Sequence, residues 1–234
     1  NEILFWDEPQ GRPKYQQSTG RPIGAGLYYN AIGIFQTQEE IDNYPSWQGA
    51  RPGDIIFEDY NDDGVIDGND RVRYDASRVP TFTGGLNISM NYKNFDLAVL
   101  LQGASGGYFY ETTESGDFGN YLQSFYEDRW TAENPSTEDP RTYNRNGEYW
   151  VNQQNTYWLR KSDYVRLKNI ELGYTLPESV TSSILVKNFR VYLSAFNLLT
   201  YSPHIDDYDP ESTSGSGYNY PLNKVVNVGA SINF

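Results

Sequence analysis

The residues best suited to do chemistry lie in one run, DYNDDGVIDGND, from Asp59 to Asp70. Asp59, Asn61 and Asp63 recur at alternate positions and Gly64 follows where the chain must turn sharply. Val65, Asp67 and Asp70 then fall at the later ligand positions of an EF-hand-like calcium loop. Hard oxygen donors at this spacing are what Ca²⁺ takes, with Val65 offering its backbone carbonyl. Asp70 stands where such loops usually carry Glu, and its shorter side chain reaches an ion less readily with both oxygens. Neither flank reads as a helix, so a filled loop would stiffen its surroundings and catalyse nothing. The same residues also fit an acidic loop of Asx turns that holds no metal.

Other chemistry finds little support. The sole histidine, His204, sits between Pro203 and Ile205 in a loop, and any Ser-His-Asp arrangement would have to use it. Cysteine is absent, which removes thiolate zinc sites, disulfides and cysteine nucleophiles. Among 31 acidic residues no spacing singles out a glycosidase pair. Gly103, Gly106 and Gly107 form no phosphate cradle, and Ser214 to Gly217 read as a loop tip. A net charge of −13 is the wrong sign for nucleic acid, which needs clustered Lys and Arg. The expectation is that the chain is not an enzyme.

The elements that carry these residues are strands. No run approaches the roughly 18 apolar residues of a transmembrane helix, but a spanning strand needs only about 9–11 residues with every second one apolar. A mean hydropathy of −0.69 therefore excludes nothing of that kind. Asn1 to Trp6 lack a basic patch, an apolar run and a cleavage site, so any export signal is expected to lie upstream or to have been removed.

Val226, Val228, Ala230, Ile232 and Phe234 alternate with Asn227, Gly229, Ser231 and Asn233. Alone, that pattern fits a soluble sandwich equally well. It recurs, however: Leu86, Ile88, Met90 and Tyr92 oppose Asn87, Ser89 and Asn91, then a Lys93-Asn94 turn leads into Phe95, Leu97, Val99 and Leu101. Ile170, Leu172 and Tyr174 alternate with Asn169, Glu171 and Gly173; Phe189, Val191, Leu193 and Ala195 alternate with Arg190, Tyr192 and Ser194. Val165 and Leu167 have the wrong parity for their strand, which predicts a bulge or an interface crossing near Lys168.

No charge falls on the apolar sides, where Lys or Arg at bilayer mid-depth costs about 2–4 kcal/mol. The other sides carry Asp96, Glu171 and Arg190 amid Asn, Ser, Thr and Gly, which suits a hydrated lumen better than a solvent face. Connections alternate between short and long, as periplasmic turns and outer loops do. The expected organisation is an extracellular loop region over 1–78 that holds the calcium loop. Transmembrane strands follow over 79–234, with long outer loops at about 105–163 and 201–222. Asn120 to Trp130 is expected to include a short helix. Tyr149, Trp150, Tyr157 and Trp158 serve either to pack that loop or to stack on a sugar. About five strands cannot close a barrel, for which at least about 8 are usual, so the chain is expected to be part of a larger one.

Several segments together resemble the SusC/RagA family of TonB-dependent outer-membrane transporters. They are Gly33 to Asp42 (GIFQTQEEID), Arg51 to Arg71 (RPGDIIFEDYNDDGVIDGNDR), Tyr164 to Pro177 (YVRLKNIELGYTLP), Arg190 to Ser202 (RVYLSAFNLLTYS) and the terminal strand. The resemblance implies an all-β fold in which this chain supplies the C-terminal strands of an antiparallel transmembrane barrel of about 22 strands. It implies a location in the bacterial outer membrane and import of nutrients, glycan or oligopeptide. It implies too a plug and further barrel strands upstream, TonB engaged through that upstream part, and a SusD-like surface lipoprotein over the mouth. The alternatives are a soluble, calcium-binding β-sandwich that binds carbohydrate, and a structural or adhesive barrel that transports nothing.

Overall fold

The computed structural model describes residues 1–111, 122–143, 153–182, 186–212, 220 and 222–234. Its strands, in chain order, are β1 (Gly26–Tyr29), β2 (Ala31–Ile34), β3 (Ile55–Phe57), β4 (Arg71–Tyr74), β5 (Phe82–Tyr92), β6 (Phe95–Ser105), β7 (Tyr108–Tyr110), β8 (Leu159–Lys161), β9 (Tyr164–Thr175), β10 (Asn188–Tyr201) and β11 (Val225–Asn233). They divide between two compact units. Asn1–Val79 and Tyr108–Arg160 belong to the first; Pro80–Gly107, Lys161–Ser212 and Tyr220–Phe234 make the second.

The second unit is one antiparallel sheet in the order β5-β6-β9-β10-β11, so its strands lie side by side in chain order, with β7 and β8 falling in the connection from β6 to β9. Its strands are 9 to 14 residues long, enough to span a bilayer when tilted. Register converts the alternation of each strand into a property of the whole sheet. Met90, Leu97, Leu172, Leu193 and Val228 form one row across all five strands, and Ile88, Val99, Ile170, Ala195 and Val226 form the next. Aromatics gather at the ends of this face. Tyr92, Phe95 and Tyr174 line up at one end, with Phe95 and Tyr174 ring centres 4.7 Å apart, and Phe82 and Tyr201 lie at the other. Aliphatics between two aromatic belts are the order expected of a lipid-facing surface.

The parity fault falls where the sequence places it. On β9, Asn169 pairs with Leu100 and Leu167 pairs with Leu101, so Lys168 is the extra residue of a bulge. Opposite it on β10 the register jumps from Phe196 to Leu199, and Asn197 takes φ 50°. The bulge returns Val165 and Leu167 to the apolar face beside Gly103, Leu101, Leu199 and Tyr201. Without it half of β9 would point the wrong way, because a one-residue slip exchanges the faces.

That apolar face is uncovered among the described residues. Leu86 is 55% exposed, Ile88 37%, Leu193 50% and Val228 84%. A row of large apolar side chains of this extent is not left bare to water in a stable soluble domain. β5 and β11 carry the two outer edges of the sheet, and in lipid their free backbone groups require further strands.

The first unit is built around aromatics. Tyr29, Phe35, Trp47, Phe57, Phe125, Tyr143 and Trp158 pack with Ile34, Ile41, Ile55 and Ile66 in a buried cluster, and Tyr29 stacks on Phe57 at 4.8 Å. Two-stranded ribbons β1–β4, β2–β3 and β7–β8 surround it. Helix α1 (Gln38–Asn43) starts at Thr37, whose side chain accepts the Glu40 N–H at 3.2 Å, and contributes Ile41. Helix α2 (Gln123–Asp128) contributes Phe125 and lies within the stretch where a helix is expected. The described residues of 108–160 share this unit because Phe125, Tyr143 and Trp158 fill its core; Tyr149 and Trp150 lie outside the described residues.

The Arg-Pro-Gly-Asp sequence at 51–54 is a hub of the first unit. Gly53 takes φ 90°, and a Cβ there would press on the Trp130 ring and, at 2.9 Å, on Arg141 Cβ. Gly53 N–H donates to the Phe35 carbonyl (2.7 Å) and its own carbonyl accepts from Arg141 N–H (2.8 Å). The buried Asp54 carboxylate accepts the Arg51 N–H at 3.0 Å and pairs with the Arg141 guanidinium at 2.6 Å.

Candidate functional site

The sheet's second face is polar and carries two ion clusters. Near the β5–β6 turn, Arg190 reaches Asp96 on β6 (Nε to Oδ1 2.9 Å) and Glu171 on β9 (Nη2 to Oε1 2.6 Å). Those two carboxylates and Arg190 are the three charges that alternation assigns to this face, and register brings them into one group. Gly173 makes it feasible. It pairs with Asp96 on one side and Tyr192 on the other, and a Cβ there would overlap the Arg190 guanidinium. The Tyr192 ring lies in the same way over Gly229 of β11. Small residues thus leave room for long polar side chains lying along the wall.

The second cluster is centred on Arg166. Its side chain is 0% exposed, and its register neighbours are Gln102 on β6 and Thr200 on β10. Its Nε donates to Thr200 Oγ1 (2.9 Å), Nη1 to Glu211 Oε2 (2.5 Å) and Nη2 to both oxygens of Asp209 (2.9 and 2.7 Å). Tyr164 O–H donates to Glu211 Oε1 at 2.7 Å, and Gln102 Nε2 donates to Tyr164 Oη at 3.3 Å. The segment after β10 is therefore tied onto the polar face. Strand alternation gave Arg166 no prominence, since it lies on the bulged half of β9, and nothing local pairs it with residues more than forty positions away.

In the acidic loop, Asp59 Oδ1 accepts the Asp63 N–H (3.2 Å) and Oδ2 the Gly64 N–H (2.8 Å). Asn61 Nδ2 donates to Asp63 Oδ2 at 2.8 Å, and Asp63 Oδ1 accepts the Val65 N–H at 2.9 Å. Gly64 has φ 82° and Asp62 φ 55°, the winding expected of the tight turn. Asp67 and Asp70 cap the turn Gly68–Asp70, and Asp70 also reaches back to the start of the loop: its carboxylate accepts N–H bonds from Tyr60 (2.9 Å) and Asp67 (2.7 Å). Desolvation by burial pushes the Asp70 carboxyl above its ordinary range, more than these N–H bonds pull it down, and Asp59 adds repulsion. Among the described residues no three His, Cys, Asp or Glu side chains converge closely enough to hold a metal. Asp59, Asn61, Asp63 and Val65 are thus bonded to one another in the first half of the loop, while Asp67 and Asp70 cap its exit and Asp70 ties that exit back to Tyr60.

No family profile matches the chain. The TonB-dependent receptor P3 of Formosa agariphila is 30% identical over 233 residues, covering 97% of this chain, and receptor P26 of the same organism is 28% identical over 234. The TonB-dependent receptor SusC of Bacteroides thetaiotaomicron is 27% identical over 217 residues, or 88% of the chain. The RagAB peptide transporter shares the fold with a TM-score of 0.66 at 24% identity, over 95% of this chain and 24% of the solved one. The chain belongs to the SusC/RagA family of TonB-dependent receptors. It spans 22% of the length of P3 and of P26. The five-strand sheet corresponds to the C-terminal part of the barrel wall in that family. RagAB in its 'open-open' state matches as well, with a TM-score of 0.62 at 23% identity over 90% of the chain.

Proposed function

We propose that this SusC/RagA-family chain forms part of an outer-membrane, TonB-dependent importer that takes up glycan or oligopeptide together with a SusD-like surface lipoprotein. The chain itself performs no catalysis; it supplies barrel wall and outer loops. The observation that carries the reading is the unbroken apolar face over five registered strands, backed by a polar face of Asn, Ser, Thr, Gly and paired charges. A soluble carbohydrate-binding sandwich would turn that apolar face onto a second sheet. The barrel strands and plug that complete the importer, and the segment that engages TonB, belong to the rest of the receptor.

Deleting the gene and growing the strain on single polymeric nutrients tests the reading. The expected result is loss of growth on one glycan or peptide source, restored by the intact gene and not by a version lacking its TonB-contacting segment. Undiminished growth and uptake on every such source would favour the adhesive or structural barrel. Affinity purification of the tagged receptor is expected to bring down one abundant surface lipoprotein.

We propose in addition that the 59–70 loop takes a structural Ca²⁺. Asp59, Asn61 and Asp63 would supply side-chain oxygens and Val65 its carbonyl, with Asp67 and Asp70 closing the site. The support is the ligand spacing, the turn at Gly64 and a buried, desolvated Asp70 that no Lys or Arg pairs with among the described residues. Calcium at 100 times its Kd is expected to stabilise the first unit by about 2.7 kcal/mol. A receptor carrying Asp59→Asn and Asp63→Asn is expected to show none of that gain. Calorimetry of chelator-treated receptor that detects no calcium-dependent heat would remove the proposal.

A further inference from the structure

We infer that Ser202 to Ser212 is a clamped strap: a stretch of outer loop held permanently against the inner face of the wall by Arg166, where it narrows the channel. The inference rests on the barrel reading only for the statement that this face is the lumen.

Three observations carry it. The clamp is built as a buried group, since Arg166 is wholly inside and its guanidinium nitrogens are satisfied by Thr200 and by two carboxylates of the strap, Asp209 and Glu211. A mobile lid makes poor use of such an arrangement, because each opening would break every charge-assisted bond from Arg166 to Asp209 and Glu211 at once and leave only the Thr200 bond and water in their place. The strap is also prearranged to meet it. Asp209 Oδ1 accepts the Glu211 N–H at 2.9 Å and the Asp209 carbonyl accepts the Ser212 N–H at 2.8 Å, so both carboxylates are presented from one turn. Finally, the attachment is wide. Tyr164 and Gln102 bind Glu211 from β9 and β6, so two adjacent strands grip the strap, while Thr200 of β10 braces Arg166. Ile205 and Pro210 are buried along it. The exposed Asp206 and Asp207 are thereby fixed in place beside the wall.

The test is amide hydrogen exchange on the full-length receptor in detergent, read on peptides covering residues 203–212. Wild-type receptor is expected to protect the Glu211 and Ser212 amides. Arg166→Met is expected to speed their exchange about tenfold or more while the β9–β10 ladder around Leu193 stays protected. Should that single variant unfold the ladder, a triple variant with Asp209→Asn and Glu211→Gln added removes the stranded charges and keeps the shapes, and the same local loss is expected. The thiol of Gln102→Cys is expected to react with an external maleimide about tenfold faster once the strap is released. Fast strap exchange in the wild type, or equal exchange in wild type and the released variant, overturns the clamp. Equal maleimide rates overturn the constriction. A receptor that fractionates away from the outer membrane overturns instead the assignment of this face as lumen.

Discussion

Arginine at Leu193 is expected to lower the amount of correctly folded receptor roughly tenfold or more, because a guanidinium at bilayer mid-depth costs about 2–4 kcal/mol. Leu193 lies in the central row of the apolar face, between Leu172 of β9 and Val228 of β11. It is 50% exposed, and in a protein surrounded by water a substitution at such a position would stay within about 0.5 kcal/mol. The two environments therefore predict opposite outcomes for the same change. Asn87→Arg on the polar side of β5 is the control and is expected to fold normally. Urea titration of both variants in lipid vesicles, followed by the heat-dependent gel shift of folded barrels, gives the comparison. Equal stability of Leu193→Arg and wild type would mean that no hydrocarbon meets this face.

Asp54→Ala is expected to cost the first unit about 3–5 kcal/mol, the usual loss when one member of a buried ion pair is removed and the other is left charged. Arg141 would keep its guanidinium where Asp54 now meets it at 2.6 Å, and the Arg51 N–H would lose its acceptor. The damage should spread along the Gly53 connections to Phe35 and Arg141, and so to the aromatic cluster around Trp158. Limited proteolysis of the intact receptor reads this out, with cleavage expected between residues 30 and 60 while the β5–β11 sheet remains protected. Asp54→Asn should be milder, since the amide oxygen still accepts from Arg51. Wild-type resistance in Asp54→Ala would show that the Arg-Pro-Gly-Asp hub does not hold the unit together.

The sheet was legible in the sequence because its signal is local and repeated. A period of two, read strand by strand, yields the correct faces for Leu86, Leu97, Leu193 and Val228 with no knowledge of pairing. The Lys168 bulge was legible for the same reason: Val165 and Leu167 break a parity that the rest of β9 keeps. Neither ion cluster was legible as a cluster. Asp96, Glu171 and Arg190 could be assigned a face, but their meeting over Gly173 depends on registers between three strands. Arg166 and its partners Asp209 and Glu211 lie farther apart still, and only the folded loop shows them as one group. The first unit was hardest, since its core is made of aromatics from short ribbons and from a connection that reads simply as a long loop. In Asp59 to Asp70 the ligand spacing was plain from sequence, whereas the commitment of Asp67 and Asp70 to capping the Gly68–Asp70 turn depends on backbone conformation.

Fluorescent labels at single cysteines along β5, β10 and β11 test the central claim most directly, read by quenching from lipids brominated in their acyl chains. Quenching is predicted at Leu86, Ile88, Leu193 and Val228, and its absence at Asn87, Ser89 and Asn227, so that signal alternates along each strand. Labels at Leu193 and Val228 that escape quenching in a folded receptor, or quenching without alternation, would contradict the account.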